Sequence, residues 1–463
     1  DTYNYRLNLD IDLTKTTKVY IGTTGYMSVN TRPSMGEYSR GVSLTDWLWS
    51  SQAKTTPISY PLRYSNGYYP AAGTKDEISP YVLLNYTGNA REQNTRNLVT
   101  LGITQDLSMI TKGLSAKVQG SWDTQSLFGE ARYKMPELNE ALKERNPNGT
   151  LSFEKIADEK TVTYSSAAWV WRKLYLEANV NYDRTFGDHR LGGLLFYYIE
   201  DTSETGADKS MNAIPKRYQS LSGRFTYGFK DTYFWDLNFG LNGSENFEPG
   251  KQYGFFPAGA FASSYEFIRE NVSWLNFLKL RVSYGVVGND RISSRRFPYL
   301  TLIKEENASN PWGGTGSLTE EQVGANNLMW EKAKKFDVGM DLHLFKDKFT
   351  LTLDYFKDTR DGIFQERKQI PDYVGLIQMP YGNIGRMKSW GADGNMEFYQ
   401  QIGKDAHVIL RSNFTLSKNK ILNWEDTKKP YTYLENNGYA NNVQRGFVAM
   451  GLFKDQQDVE MSP

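Results

Sequence analysis

One run dictates how the rest of the chain is read. Within Phe277–Asp290, Leu278, Leu280, Val282, Tyr284 and Val286 point one way, while Lys279, Arg281 and Ser283 point the other. Alternation with a period of two predicts a strand with one apolar and one polar face. The run stops at Gly288-Asn289-Asp290, a turn signal.

The pattern recurs in pairs. Tyr3–Asp12 with Lys18–Val29, Thr95–Asp106 with Gly113–Asp123, and Arg172–Thr185 with His189–Asp201 are each joined by a short turn. Arg217–Phe229 with Thr232–Gly243 turns at Lys230-Asp231, and Gln252–Ser264 is linked to Asn276–Val287 by Tyr265–Leu275. Trp330–Leu344 with Phe349–Ile363 turns at Phe345–Lys348, and Asn383–Gln400 with Ala406–Lys420 turns at Gly403–Asp405. Between pairs lie mostly longer excursions, including 30–94, 124–170 and 288–329. The second of these contains Met135–Arg145, rich in helix formers and closed by Asn146-Pro147-Asn148-Gly149, which predicts a short surface helix. After the polar stretch Ile421–Gln444, a new strand is expected near Arg445–Phe453.

Many of these runs reach about 10–15 residues, above the strand mode of about 5–6. Long antiparallel strands with tight turns at one end and large loops at the other predict an all-β fold, a transmembrane antiparallel β-barrel with long extracellular loops. No fixed repeat length points to a propeller or β-helix. A mean hydropathy of −0.60 does not oppose a barrel, in which alternate residues alone face lipid. No apolar run approaches the ~18–20 residues of a membrane helix. The 31 Tyr, 24 Phe and 11 Trp suit interfacial girdles, although a large soluble β-protein would also accommodate them.

The remaining chemistry is sparse. Cysteine is absent, which removes disulfides and thiolate sites. The 54 basic and 53 acidic residues give +1, so bulk charge does not suggest nucleic acid. His189, His343 and His407 are too far apart for metal-ligand spacing, and no nucleophile elbow or phosphate loop occurs. No catalytic residue, metal or cofactor is expected. Spaced carboxylates such as Asp354 and Asp358 are read as polar wall rather than a glycosidase pair. The candidates for binding are loop aromatics, since aromatic faces bind sugars and peptide side chains: Trp47, Trp49, Tyr64, Tyr68 and Tyr69, then Trp312, Tyr431, Tyr433 and Tyr439. Lys279, Arg281, Asn238 and Asp354 are candidates for a polar lumen wall.

Phe255-Phe256-Pro257 followed by Leu278–Gly285 and Gly288-Asn289-Asp290 resembles the SusC/RagA family, TonB-linked outer-membrane transporters of Bacteroidota. Trp330-Glu331-Lys332 leading to Phe336–Gly339, Leu353–Phe356, Asn383-Ile384-Gly385 with Gly391, and Gly451-Leu452-Phe453 carry the same resemblance. It covers essentially the whole chain, best from Arg217 onward. It implies a barrel of about 22 strands with a plugged lumen, of which this chain supplies about 14. Residues 1–463 would then be part of one barrel domain, with the N-terminal extension, plug, first strands and last strands outside it. Alone, such a piece would leave two unpaired edges in lipid. The resemblance further implies TonB-driven import of oligosaccharides or peptides, a SusD-like surface lipoprotein, contacts to the TonB complex through regions outside this chain, a dimer of SusC–SusD pairs and no nucleic-acid partner. A passive porin or a surface adhesin barrel is the alternative.

Overall fold

The computed structural model describes residues 1–34, 43–74, 77–206, 211–265, 272–291, 296–309, 315–325, 327–449 and 451–461. In chain order, β1 (Thr2–Asp12) and β2 (Thr17–Pro33) precede α1 (Leu44–Lys54), the short β3 (Tyr69–Pro70) and α2 (Pro80–Asn85). Then come β4 (Gly88–Asp106), β5 (Leu114–Met135), β6 (Leu138–Arg145), β7 (Leu151–Ala157), β8 (Lys160–Phe186) and β9 (His189–Glu204). β10 (Lys216–Phe229), β11 (Tyr233–Ser244), β12 (Tyr253–Ser264) and β13 (Leu275–Asn289) follow, with a hairpin of β14 (Leu302–Ser309) and β15 (Thr315–Gln322) after them. The chain continues through β16 (Glu331–Leu344), β17 (Phe349–Glu366), β18 (Tyr381–Ile402), β19 (Ala406–Asn423) and α3 (Gln456–Glu460).

Fourteen strands hydrogen-bond in the order β1-β2-β4-β5-β8-β9-β10-β11-β12-β13-β16-β17-β18-β19. All seven expected hairpins are present, and the fold is an antiparallel β-sheet of the expected strand number. Among the described residues no helix is long and apolar enough to cross a membrane. The chain divides into two compact units, residues 1–180 with 196–219 and residues 181–195 with 220–463.

In the first unit the sheet outlasts its strict alternation. β4 starts at Gly88, seven residues before the predicted Thr95, and β5 runs twelve residues past Asp123. The β4 extension is polar, and in the β5 extension the apolar Leu127 and Phe128 are adjacent, so strict alternation announces neither, yet the ladder continues from Asn97↔Thr124 to Gly88↔Tyr133 because backbone bonds need no greasy side chain. Above them sits a folded module. Trp47, Ile78, Val82, Leu83, Met135 and Leu138 form its buried core. Ser43 caps α1 by accepting from the Asp46 amide, and Ser79 caps α2 by accepting from Val82, with Pro80 at the first turn.

The predicted helix over Met135–Arg145 is not formed. Met135 closes β5, and Leu138–Arg145 is β6, parallel to β3 and antiparallel to β7. Ladder pairing and burial of Leu138 (0% exposed) override helix propensity here. The Asn146–Gly149 punctuation is a hairpin turn: the Asn146 amide donates to the Thr150 carbonyl and Gly149 adopts φ 79°.

In the second unit, alternation along β13 holds through Leu280, Val282 and Tyr284, all exposed on the apolar face. Val286 departs from it and packs against a second buried cluster of Phe247, Phe256, Ala325, Leu328, Trp330 and Phe364. The phenyl ring of Phe256 lies where β-carbons on Gly254 and Gly288 would stand, so both positions need glycine for space. No strand forms at 445–449 or 451–453. There Arg445 instead clamps the preceding loop, donating to the carbonyls of Tyr433 (2.7 Å) and Glu435 (2.6 Å).

Candidate functional site

The polar face of the second unit is built by register. Arg281 on β13 lies opposite Gly339 on β16, which lies opposite Asp354 on β17. A glycine between them lets the guanidinium reach across the middle strand. Nη2 of Arg281 donates to Asp354 Oδ2 at 3.1 Å and to Asp341 Oδ1 at 3.3 Å. Thr352 donates to the same Asp341 oxygen at 3.1 Å. A β-carbon on Gly339 would collide with the Asp354 carboxylate and stand 2.8 Å from the guanidinium carbon. One cation thus holds two carboxylates on two strands, and charge-assisted hydrogen bonds fix their geometry.

A second group stands on β10 and β11. Arg224 grips Asp236 through both nitrogen–oxygen pairs, at 3.2 and 2.6 Å, and Asn238 donates to Asp236 at 2.8 Å. Between the two groups, Asp236, Lys279, Arg281, Ser283 and Asp337 contribute to the lining of a cavity of about 290 Å³. Of the four wall candidates, Arg281 and Asp354 bond directly to each other, Lys279 lies opposite Asp341, and Asn238 belongs to the neighbouring group. Sequence reasoning named these four as candidates for a polar wall but did not find Arg224, Asp236 or Asp341 as partners. The four-residue turn Phe345–Lys348 is a local signal for the Gly339–Asp354 register, because it sets Leu344 opposite Phe349.

The loop aromatics separate by environment. In the first unit, Trp47 and Tyr64 are each 8% exposed and belong to the packing of the module. Tyr64 accepts from the Ala141 amide at 3.3 Å and meets Phe153 edge-on. Burial pushes its hydroxyl above the usual tyrosine range, against the lowering effect of that amide. Tyr69 is half-buried against Tyr86, whereas Trp49 and Tyr68 are exposed. In the second unit, Tyr431 and Tyr433 are both exposed and stack nearly parallel, with centroids 5.4 Å apart and planes 12° apart. Tyr439 is half-buried, its ring beneath the Arg445 guanidinium at 5.8 Å. Trp312 lies outside the described residues.

That second-unit loop is fastened by Asp426. Its carboxylate accepts from the Asn436 amide (2.6 Å), the Asn437 amide (2.7 Å) and the Asn436 side chain (2.8 Å). Burial opposes the charge, but these donors outweigh it and hold the Asp426 carboxyl below its usual range. The histidines are occupied locally: His189 bonds the Tyr227 hydroxyl, His343 pairs with Asp347 and His407 stacks on Tyr399.

Comparison with known proteins agrees with this architecture. The family described as TonB dependent receptor-like, beta-barrel matches residues 2–448. The TonB-dependent receptor P3 of Formosa agariphila is 24% identical over 90% of this chain and 42% of its own length. The TonB-dependent receptor SusC of Bacteroides thetaiotaomicron is 29% identical over 44% of this chain and 20% of its own. The RagAB peptide importer in its closed-closed state superposes with a TM-score of 0.67 over 95% of this chain and 49% of that one, at 19% identity. The chain therefore spans less than half the length of these relatives. The paired long strands, the polar face and the match across nearly the whole sequence place the chain in the TonB-dependent receptor β-barrel family of the outer membrane.

Proposed function

We propose that residues 1–463 form part of the wall and the surface loops of a SusC-like importer, which takes up oligosaccharides or peptides together with a SusD-like surface lipoprotein. The observation that carries this reading is the family match over residues 2–448, joined to folded loop modules at the end of the strands opposite the short hairpins. In this reading the chain is one portion of a single barrel domain, with the plug, the TonB-contacting region and the remaining strands contributed from outside it. The whole assembly would be a dimer of transporter–lipoprotein pairs.

The wall's part is passive and electrostatic. Arg281, Asp341 and Asp354 keep a polar face that presents fixed charges to the lumen, with Lys279 and Asn238 extending it. Energy enters through the TonB complex and displaces the plug past this surface. The exposed rings of Trp49, Tyr68, Tyr431 and Tyr433 offer cargo or lipoprotein a flat apolar face at little entropic cost.

Uptake by the whole receptor in its own outer membrane tests the proposal. Import should stop when the proton-motive force is collapsed, and an affinity-tagged receptor should retain its surface lipoprotein. Uptake that survives uncoupling would make the barrel a passive porin. An intact receptor that transports nothing and binds host or matrix material would make it an adhesin. Growth on a defined glycan or a defined peptide as sole source separates the two cargo classes.

A further inference from the structure

The apolar face of β16–β19 changes character abruptly at its loop end. Direct register partners share a face, so the rows across these strands can be followed one by one. Leu344–Phe349–Phe398–Leu410 lies at the short-turn end, and Met340–Leu353–Gly394–Phe414 and Val338–Tyr355–Ala392–Leu416 follow. The next row is Phe336–Lys357–Trp390–Lys418, and the one beyond it is Lys334–Thr359–Lys388–Lys420. The last is Lys332–Asp361–Arg386.

From Leu344 to Phe336 the apolar rows cover about 27 Å of strand, which a barrel's tilt shortens to roughly the height of a lipid-facing band. The cations begin where that band ends, mixed with Phe336 and Trp390. Among these described residues, the three loop-end rows hold seven cations and one carboxylate. Asp361 is shared by Lys334 (3.0 Å) and Arg386 (2.6 Å). Lys388 lies over the Trp390 ring at 5.1 Å. Among the described residues no ion pair accounts for Lys332, Lys357, Lys418 or Lys420, and all four are exposed. The outward face of β2, β4 and β5, marked by exposed Val99 and Trp122, is different. Its corresponding rows are neutral: Gly25–Asn97–Thr124, Met27–Thr95–Ser126 and Val29–Gln93–Phe128. The cationic band is therefore not a general property of the wall.

Placed in an outer membrane with its loops outside, this band stands at the headgroup level of the outer leaflet. Lysines spread over four adjacent strands beside aromatic anchors suit a diffuse, multiply charged ligand on a lipid anchor. We propose that the loop end of β16–β19 binds the phosphate groups of a phosphorylated outer-leaflet glycolipid. Lys357, Lys388, Lys418 and Lys420 would contact phosphate, while Phe336, Tyr355 and Leu416 pack on the acyl chains. This site is independent of the cargo and of the importer reading. It needs the barrel in its membrane and nothing else.

The test uses the whole receptor from its own outer membrane, carrying K357Q, K388Q, K418Q and K420Q together. Native mass spectrometry in detergent would read the bound lipid. The probes are the phosphorylated glycolipid of that membrane, the same lipid after phosphatase treatment, and inorganic phosphate. Wild type should retain the phosphorylated lipid, and the quadruple variant should retain about tenfold less. A matching set of Lys→Arg changes should restore retention, and heat-modifiable migration in gels should show that each variant forms a barrel. Equal occupancy in wild type and the Gln variant, or equal retention of the phosphatase-treated lipid by wild type, would overturn the proposal. So would displacement of the lipid by millimolar inorganic phosphate, which would mark a free-anion site. Loss of an acidic protein partner from the Gln variant with lipid unchanged would overturn it as well.

Discussion

Arg281 and Asp354 are two strands apart, and their contact passes over the bare backbone of Gly339. That contact depends on an absent side chain. Gly339→Ala should push the carboxylate and guanidinium apart and cost about 1.5–3 kcal/mol, the range for a hydrogen bond to a charged group. Arg281→Gln should cost more than Asp354→Asn. Removing the single cation leaves the two carboxylates Asp341 and Asp354 facing one another, whereas Asp354→Asn leaves Arg281 with Asp341. Urea-dependent unfolding of the whole receptor in bilayers gives the order. A neutral Gly339→Ala would show that the pair has no energetic role.

Asp426 predicts a pH response in the loop that carries Tyr431 and Tyr433. Its folded carboxyl lies below its ordinary range, so its stabilisation is fully present above the unfolded value of about 3.9 and is lost as pH falls through the folded value. Hydrogen exchange of 424–440, corrected for intrinsic rates, should be protected at pH 6 and lose protection below about pH 4. Asp426→Asn should remove the pH dependence by weakening protection at pH 6. Unchanged protection on acidification would mean that Asn436 and Asn437 are held by something else.

How much of this was open to sequence reading follows from distance along the chain. The seven hairpins were legible because alternation and a tight turn are both local signals, as at Phe345–Lys348. Arg281 and Asp354 could be assigned to a face for the same reason. Their contact could not, because the β13–β16 register is set across an excursion of more than 40 residues, and nothing in Arg281 itself announces that it sits opposite Gly339. Leu138–Arg145 was misread because its residue types favour a helix, whereas pairing with β3 and β7 decides its state. Among the loop aromatics, Trp47 and Trp49 are two residues apart on one helix and nearly equal in type. Which of them is buried depends on Ile78 and Leu138, far away in sequence.

Trp330 ties the loops of the second unit together, and its removal should act locally. It is 9% exposed, stacks on Phe247 at 5.0 Å, meets Phe256 edge-on at 5.2 Å and donates to the Gln252 carbonyl at 3.2 Å. Trp330→Ala should cost about 3–5 kcal/mol at this cluster. Trp330→Phe keeps most of the packing and should lose about 1 kcal/mol with the hydrogen bond. Limited proteolysis is the readout: cleavage near 244–252 and 324–330 should rise sharply in the Ala variant while the barrel still migrates as a folded species. Simultaneous loss of the barrel would make the cluster part of the sheet's own core.

The stacked pair Tyr431 and Tyr433 separates contact from scaffolding. Both rings are exposed, and the loop beneath them is held by Asp426 and Arg445 rather than by the rings themselves. Removing the rings should therefore leave the loop in place and remove only what they touch. Tyr431→Ala with Tyr433→Ala should weaken cargo or lipoprotein binding about five- to tenfold, consistent with two aromatic contacts at a partly exposed site. Phe at both positions should retain most of the binding if the ring face is what is used, and should lose it if the hydroxyls carry it. Protease resistance of 424–445 should match wild type in both variants. Arg445→Gln makes the converse case: it releases the carbonyls of Tyr433 and Glu435, so protection and binding should fall together. If the double Ala variant binds normally, the pair is not a contact surface, and that surface must be sought at Trp49 and Tyr68.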